Sequence, residues 1–586
     1  MLKQFLKFIK YYGKNRSIKI FLFICISVLA GCLEFIGVGL VYPFLIMVIK
    51  PNNSINLFNN FINEFYQLIL IGFLIILMFV LKNILMIICT YLQNKFVISW
   101  KNDINEMLMK FYLYAPYKKL YADTNSEKIY NLTVLSSQTL ETFVLRTLVF
   151  ITNGIIIFLI LTLLLIKFSL IALFTIILVA LCLYCLNKFF KKRTEVLAPK
   201  MLEFSLKNNN QVIENVKNLK EIRIFSAEKF FLNKFLNIQR ENNNVIFKNS
   251  FFAAIPPYMV EMLLVMALII IAGFITYQNI NDSSKIIASY GLILAVIFRI
   301  APSLNRIQVA MNHMNSSKEM IKKMNEEYEK NNFDKFSVKS LGNEEFTYKN
   351  SLKLKNVNFG YKENVQVLKD ISFEIKKGEI VGITGLSGAG KSTLADIIMG
   401  LLPVDSGEIF VDDKELTLAN VDSYRQIISY VPQDMNILDE SYKNNVAWGI
   451  EEDKIDIQKV KECIKRACLN EVVESNGGLN SKIAGLSQGQ KQRLMIARAL
   501  YKNPEIIVLD EATSALDVET EKEIMQMLKS IKGEKTIIII AHRLATLKEC
   551  DKLIYVKSGE IVDIGSYTDI KNRNEDFKNL IKLSKF

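Results

Sequence analysis

The chain has only two histidines, His313 and His542, in 586 residues. A histidine-rich metal centre is therefore excluded. Its eight cysteines are scattered. Cys25, Cys32, Cys89, Cys182 and Cys185 lie in apolar segments; Cys463, Cys468 and Cys550 lie in the polar half. The one close pair, Cys182-Leu183-Tyr184-Cys185, sits inside an apolar run, where that spacing is the repeat of a helix. The cysteines read as buried free thiols, not as a zinc or disulfide framework. No strip interleaves aromatic with basic residues, so a single-stranded nucleic acid is not an expected partner. The net charge of +14 has another source: Lys and Arg crowd the ends of apolar segments, as the positive-inside rule requires. No internal repeat is evident. The start of the chain, with Lys3, Lys7, Lys10 and Lys14, resembles a signal peptide's basic region. The apolar stretch after it is too long for one and lacks a small-x-small cleavage pattern, which predicts a retained transmembrane helix.

What the chain does have is apolar length. Hydrophobic residues make up 51% of it beside 22% charged residues, a mixture that predicts a membrane part joined to a polar part. A span needs about 20 apolar residues. Six segments qualify: Ile18–Ile49, Tyr66–Leu92, Phe143–Ile166, Ser169–Asn187, Ile255–Tyr277 and Ile286–Met311. The segments Asn94–Glu141 and Lys188–Ser250 are long, polar and rich in Lys. They and both termini are expected on the cytoplasmic side of a cell membrane. Val212, Val216, Leu219 and Ile222 recur at helical spacing, so the helices are expected to continue past the bilayer. From Ser316 to Ser351 the chain turns strongly charged. Beyond it, short Ile/Val strands alternate with helical stretches, an α/β pattern. The expected architecture is an all-α six-span membrane domain over 1–325, a charged linker over 326–350 and an α/β P-loop domain over 351–586.

The polar half carries chemistry. Gly385-Leu386-Ser387-Gly388-Ala389-Gly390-Lys391-Ser392-Thr393 fits the P-loop pattern, between a strand-like and a helix-like run. Such a loop turns its backbone N–H groups around phosphate oxygens at a helix N-terminus. Lys391 is expected to reach the β- and γ-phosphates, and Ser392 to hold Mg²⁺. Ile506-Ile507-Val508-Leu509 reads as a buried strand ending in Asp510 and Glu511. Asp510 stands where such sites hold the metal, and Glu511, on the opposite face of an extended segment, is placed to polarise a water. The alternative for an Asp-Glu pair there is a helix cap.

These motifs, taken together with others, resemble the ABC transporters. Leu486-Ser487-Gln488-Gly489-Gln490 is similar to their LSGGQ signature, and Ser514-Ala515-Leu516-Asp517 to their D-loop. Pro432-Gln433 resembles their Q-loop, and Ala541-His542-Arg543 their switch histidine. Tyr361 matches the aromatic that stacks on adenine. The six-span layout resembles the exporter subgroup, with membrane and ATPase domains fused. The resemblance implies an ATPase coupled to transport, using ATP and Mg²⁺, with Glu511, His542 and Gln433 as its catalytic group. It implies that Tyr361, Gly385, Ser387, Gly388, Gly390, Lys391, Ser392, Thr393 and Asp510 bind the nucleotide. Ser392, Gln433 and Asp510 would hold the Mg²⁺. Ser487, Gly489, Gln490 and Asp517 would complete the site on a second copy, making the protein a homodimer. Two departures stand out. Gln488 replaces the usual glycine, and the approach Lys482-Ile483-Ala484-Gly485 is shorter than in most such exporters. The resemblance also implies coupling helices at the tips of the long loops, near Pro116–Asp123 and Asn215–Ile222.

The cargo is less legible. Charges inside spans are costly and face a cavity or a partner. Glu34, Lys82 and Arg299 lie within spans. Either Glu34 pairs with Lys82, or Lys82 and Arg299 offer cations to an anionic head group. Leu33-Glu34-Phe35, Pro43-Phe44 and the run Phe298 to Ile307 resemble spans of bacterial flippases for lipid-linked oligosaccharides. Pro257 and Tyr258 stand where that family carries an arginine at the start of the fifth span. This resemblance implies export or flipping of a glycolipid; a small-peptide exporter and an ATP-gated channel or regulator are the alternatives.

Overall fold

The computed structural model describes residues 2–583 except 14–15, 50–63, 121–123, 279–282, 332, 334–345, 363–364, 512–517 and 542. Within helices, the side chains of 2–3, 17, 64–65, 125–126, 167–187, 189–195, 198, 268, 518, 544–545, 580 and 582–583 are also outside the described set. The chain forms two compact units, 1–114 with 123–337, and 115–122 with 338–586.

The first unit is helical. α1 (Leu2–Tyr12) is amphipathic, with Phe8 and Tyr12 buried and Lys10 outward. α2 (Ser17–Gly39) and α3 (Val41–Ile49) are interrupted at Leu40. Pro43, in the first turn of α3, supplies no N–H to continue the ladder. α4 (Glu64–Tyr114) has 51 residues. At 1.5 Å per residue that is roughly 75 Å, more than twice a bilayer core of about 30 Å. The helix therefore continues beyond the membrane, as its apolar spacing predicts. After it comes a four-residue helix, α5 (Tyr117–Leu120), which groups with the second unit.

α6 runs unbroken from Leu145 to Lys217. The short loop expected between the third and fourth spans would fall near Lys167, and the backbone there is helical. The physical reason is local: no glycine or proline occurs between Ile155 and Ala198 to end the helix. Five segments among the described residues are long and apolar enough to cross a membrane: Ile18–Ile49, Tyr66–Tyr114, Glu127–Ile166, Glu228–Tyr277 and Ser283–Ser316. The fourth expected span, Ser169–Asn187, falls on residues whose side chains lie outside the described set. α7 (Leu219–Ile224), α8 (Glu228–Gln278), α9 (Ser283–Ser316) and α10 (Lys318–Asn331) complete the unit. Val38, Ile160, Leu292 and Val296 bury together between α2, α6 and α9. Cys25 and Cys32 are exposed, contrary to the expectation of buried thiols. A span presents an apolar surface to lipid as well as to protein, so apolar surroundings in the sequence do not imply protein burial.

The second unit holds two sheets. β1 (Ser351–Phe359), β2 (Leu368–Lys376), β4 (Ser406–Val411) and β5 (Lys414–Glu415) form an antiparallel sheet in the order β2-β1-β4-β5. β3 (Ile380–Thr384), β6 (Ile428–Val431), β7 (Ile506–Asp510), β8 (Thr536–Ile540), β9 (Lys552–Lys557) and β10 (Glu560–Gly565) form the other, in the order β10-β9-β3-β8-β7-β6. Its central strands are apolar on both faces because both faces are covered. Val508, Ile538 and Ile540 face the antiparallel sheet, whereas Ile507, Leu509, Ile537 and Ile539 face the helical layer.

Candidate functional site

Strands β3, β6, β7 and β8 are mutually parallel. Their carboxyl ends therefore share one edge of the sheet, where open α/β sheets bind ligands. The P-loop leaves β3, Asp510 ends β7 with Glu511 next in the chain, and Gln433 follows β6. Ile540 pairs with both Ile383 and Asp510, so P-loop and carboxylates are two strands apart, roughly 10 Å.

The P-loop needs its glycines. A Cβ on Gly385 would lie 2.1 Å from the Val556 carbonyl oxygen. Gly390, at φ +99°, caps α11 (Lys391–Ile398) in the left-handed region. Lys391 is buried and turned inward, donating to the Gly385 carbonyl at 3.1 Å and the Leu386 carbonyl at 2.8 Å. Burial lowers its pKa, against the pull of Glu511 and Asp510. A buried ammonium ringed by loop carbonyls fits an anion, since phosphate oxygens are stronger acceptors than carbonyls. Ser387, Gly388 and Ser392 are exposed along the same loop. The Tyr361 hydroxyl lies 3.2 Å from Thr393 Oγ1, which brings the aromatic to the loop.

The carboxylates are individually held. Tyr430 donates to Asp510 at 3.3 Å. Burial and Asp510 together push the Asp396 carboxyl on α11 up to about 6. Glu511 does not continue the strand as expected: its φ is +48°, so the backbone turns there. The ladder ends at Asp510, and it is the turn that carries Glu511 into the site. Gln433 donates its amide to the Glu511 carboxylate at 2.7 Å. The Gln433 carbonyl oxygen, the Ser392 hydroxyl and the Asp510 carboxylate are each hard oxygen donors of the kind Mg²⁺ prefers. Among the described residues no three His, Cys, Asp or Glu side chains are grouped to hold a metal. An Mg²⁺ here would need nucleotide oxygens to complete its shell.

The signature opens α12 (Gln488–Tyr501). Ser487 is its N-cap and is exposed. Its Oγ accepts from Gln490 N at 3.2 Å, while the Gln490 side chain accepts from Ser487 N at 2.9 Å. Gln488 and Gly489 form the first turn, and the Gln488 side chain is exposed, so it replaces glycine without crowding. Asp517 and His542 lie outside the described residues.

The short helix α5 is part of this unit. Lys118 donates to Asp405 at 2.8 Å and stands 4.8 Å from the Phe359 ring centre. The other Asp405 oxygen accepts from Gly360 N at 2.7 Å. Burial would raise the Asp405 carboxyl, but Lys118 and the Gly360 N–H outweigh it and hold it below the usual range. Gly360 precedes Tyr361, so α5 is tied to the backbone beside Tyr361. The second expected coupling segment, Asn215–Ile222, spans the end of α6 and the start of α7. Val216, Leu219, Ile224 and Phe225 are exposed there.

In the first unit, Glu34 is 2% exposed and gathers both intramembrane cations. Lys82 lies 3.2 Å and Arg299 3.4 Å from the same Glu34 oxygen. Arg299 also stacks over Phe79 at 4.3 Å. Sequence reasoning left open whether Lys82 pairs with Glu34; the structure places both cations on it. It also missed Tyr430, Asp405 and Gln492. Gln492 lies in the polar run Gln488 to Arg493, which reads as a solvated face; only the fold buries it.

A model of the ABC transporter transmembrane region matches residues 20–300, and an ABC transporter model matches residues 368–514. An ATP-dependent lipid A-core flippase of Saccharophagus degradans is 28% identical over 407 residues, 68% of this chain and 66% of that protein. One of Francisella tularensis subsp. tularensis is 32% identical over 373 residues, 61% of this chain and 59% of that protein. The matched stretch thus covers about six tenths of these relatives. A bacterial Atm1-family ABC exporter solved with ATP bound superposes at a TM-score of 0.80, with 18% identity, over 97% of this chain and 98% of that one.

Proposed function

Because the chain belongs to the ABC transporter family, with membrane and ATPase regions fused in one polypeptide, we propose that it is an ATP-driven exporter or flippase of a lipid-type amphiphile. The observation that carries the ATPase reading is the Glu511 carboxylate, held by Gln433 at the sheet edge shared with Asp510 and the P-loop. Glu511 takes a proton from the attacking water as its oxygen bonds to the γ-phosphorus. The bond to the bridging oxygen breaks, releasing ADP and phosphate. Lys391 bears the charge that develops on the phosphate oxygens. Ser392, Asp510 and Gln433 would hold a Mg²⁺, which would supply positive charge toward the phosphate oxygens.

The site is completed by a second copy, whose exposed Ser487 and half-buried Gly489 meet the γ-phosphate; His542 and Asp517 belong to the same assembly. The working form is a homodimer in a cell membrane, with termini and ATPase domains in the cytoplasm. The cargo is a lipid-linked oligosaccharide or related glycolipid. Relatives named for flipping lipid A-core support a lipid. Glu34 balances one of two cations, so Lys82 and Arg299 together leave one positive charge for an anionic head group. The test is ATPase stimulation in liposomes by polyprenyl-pyrophosphate sugars, ordinary phospholipids and peptides. Stimulation is expected from the first, and to fall several-fold in Arg299→Ala. Stimulation by peptides alone overturns the lipid reading.

A further inference from the structure

We propose that Gln492 is a positioning residue for Glu511, and that through it the occupancy of one ATP site sets the catalytic carboxylate of the other. The inference rests on the composite site proposed above.

Glu511 stands one residue past β7, where the strand ladder no longer holds it. Its backbone is left-handed, at φ +48°, a region that residues with side chains rarely occupy unassisted. Among the described residues, three contacts help to hold it. Its N–H donates to the Ile540 carbonyl at 3.0 Å. Its carboxylate accepts from Gln433 at 2.7 Å. Its carbonyl accepts from Gln492 Nε2 at 3.3 Å. The first contact belongs to the rigid sheet. The second belongs to the loop after β6. The third comes from α12, the helix that Ser487 caps.

Gln492 is 1% exposed. A buried amide is costly unless its polar atoms are bonded, and its Oε1 has no partner among the described residues. Methionine would fill much the same space without that cost. The Glu511 contact is the one hydrogen bond this amide makes there, so the position is explained by Glu511 and not by core packing.

The route is short and stiff. Gln492 lies five positions beyond Ser487, roughly 7.5 Å along a helix that rises 1.5 Å per residue. Leu494, Met495, Ile496 and Ala497, on the next turn, are buried in the core, so the helix moves as one body. At 3.3 Å the Gln492 bond is at the long end of its range. A small shift of α12 tightens or breaks it. When the exposed Ser487 engages the nucleotide held by the partner, α12 moves, and Glu511 of its own chain is re-aimed. One chain thus contributes a sensor to one site and a catalytic carboxylate to the other, with Gln492 between them.

The experiment is steady-state ATP hydrolysis by the full chain in liposomes, comparing the wild type with Gln492→Met and Gln492→Glu. Methionine cannot donate to the Glu511 carbonyl, and glutamate can do so only when protonated. Both are expected to lower kcat about tenfold or more, to leave KM within about twofold, and to bring a Hill coefficient above one down to one. Wild-type kcat, or a reduced kcat with cooperativity kept, overturns the inference. Should neither variant fold, exchange of the Gln492 side-chain amide protons in the wild-type chain reads the same contact. Protection that rises with ATP and Mg²⁺ supports it, and unchanged protection overturns it. A wild type that hydrolyses ATP as a monomer, or without cooperativity, removes the composite site itself. A cooperative dimeric wild type with cooperative variants removes only the role of Gln492.

Discussion

The two units hold charge in different ways. In the ATPase unit, charged groups sit on loops at strand ends, each with its own neutral or cationic partner: Glu511 with Gln433, Asp510 with Tyr430, Asp405 with Lys118. In the membrane unit, Glu34, Lys82 and Arg299 share a single carboxylate oxygen. Loops can be shaped residue by residue around a ligand. Helix faces in an apolar slab cannot, so charges there must first satisfy one another. The ATPase unit therefore pairs its charges one by one, and the membrane unit gathers two cations on one carboxylate.

That contrast can be broken. The largest effect is expected at Glu511. Glu511→Gln removes the base and leaves the cradle, so turnover should fall by about 10²–10⁴-fold while ATP binding is kept. Normal hydrolysis by this variant would end the catalytic assignment. In the membrane unit, Glu34→Ala strands two cations in the span. It should cost about 3–5 kcal/mol, read as a lower unfolding midpoint in nanodiscs. An unchanged midpoint would show that lipid or water, not Glu34, compensates Lys82 and Arg299.

Smaller effects sharpen the picture of the ATPase unit. Asp405→Ala frees both Lys118 and the Gly360 N–H and should cost about 1–3 kcal/mol. Lys118→Ala removes only a half-exposed ion pair, worth about 0.2–1 kcal/mol. Equal losses from the two in chemical denaturation would refute the idea that Asp405 anchors the Tyr361 loop. The smallest effect is pH dependence at Asp396, whose carboxyl is raised to about 6 by burial and Asp510. A raised carboxyl favours the protonated folded form. Its contribution to stability is therefore full below the unfolded value near 4 and is lost as pH rises through about 6. Asp396→Asn should flatten stability across that window; an unchanged slope would contradict the burial argument.

Much of the site is written in short runs of sequence. The P-loop from Gly385 to Thr393 and the strand ending at Asp510 are contiguous, and their backbone geometry follows from local rules about glycine, strand ends and helix starts. The span segments are legible for a similar reason, since apolar length alone identifies them. What escaped were residues whose role depends on distant neighbours. Gln492 sits in a polar run, yet the helical layer buries it. Asp405, at the turn into β4, gains its role from Lys118, far away in the chain. Glu511 was expected on an extended segment, but the end of the ladder turns it.

The residues alone determine that one half of this chain suits lipid and the other phosphate, because apolar length and a glycine-rich loop are properties of adjacent residues. Only the tertiary structure decided that Glu34 answers to Lys82 and Arg299 together, that α5 is tied to the Tyr361 loop, and that the signature helix reaches Glu511. Each of those depends on which side chains the packing of separate elements brings within hydrogen-bond distance, and no local rule of sequence specifies that.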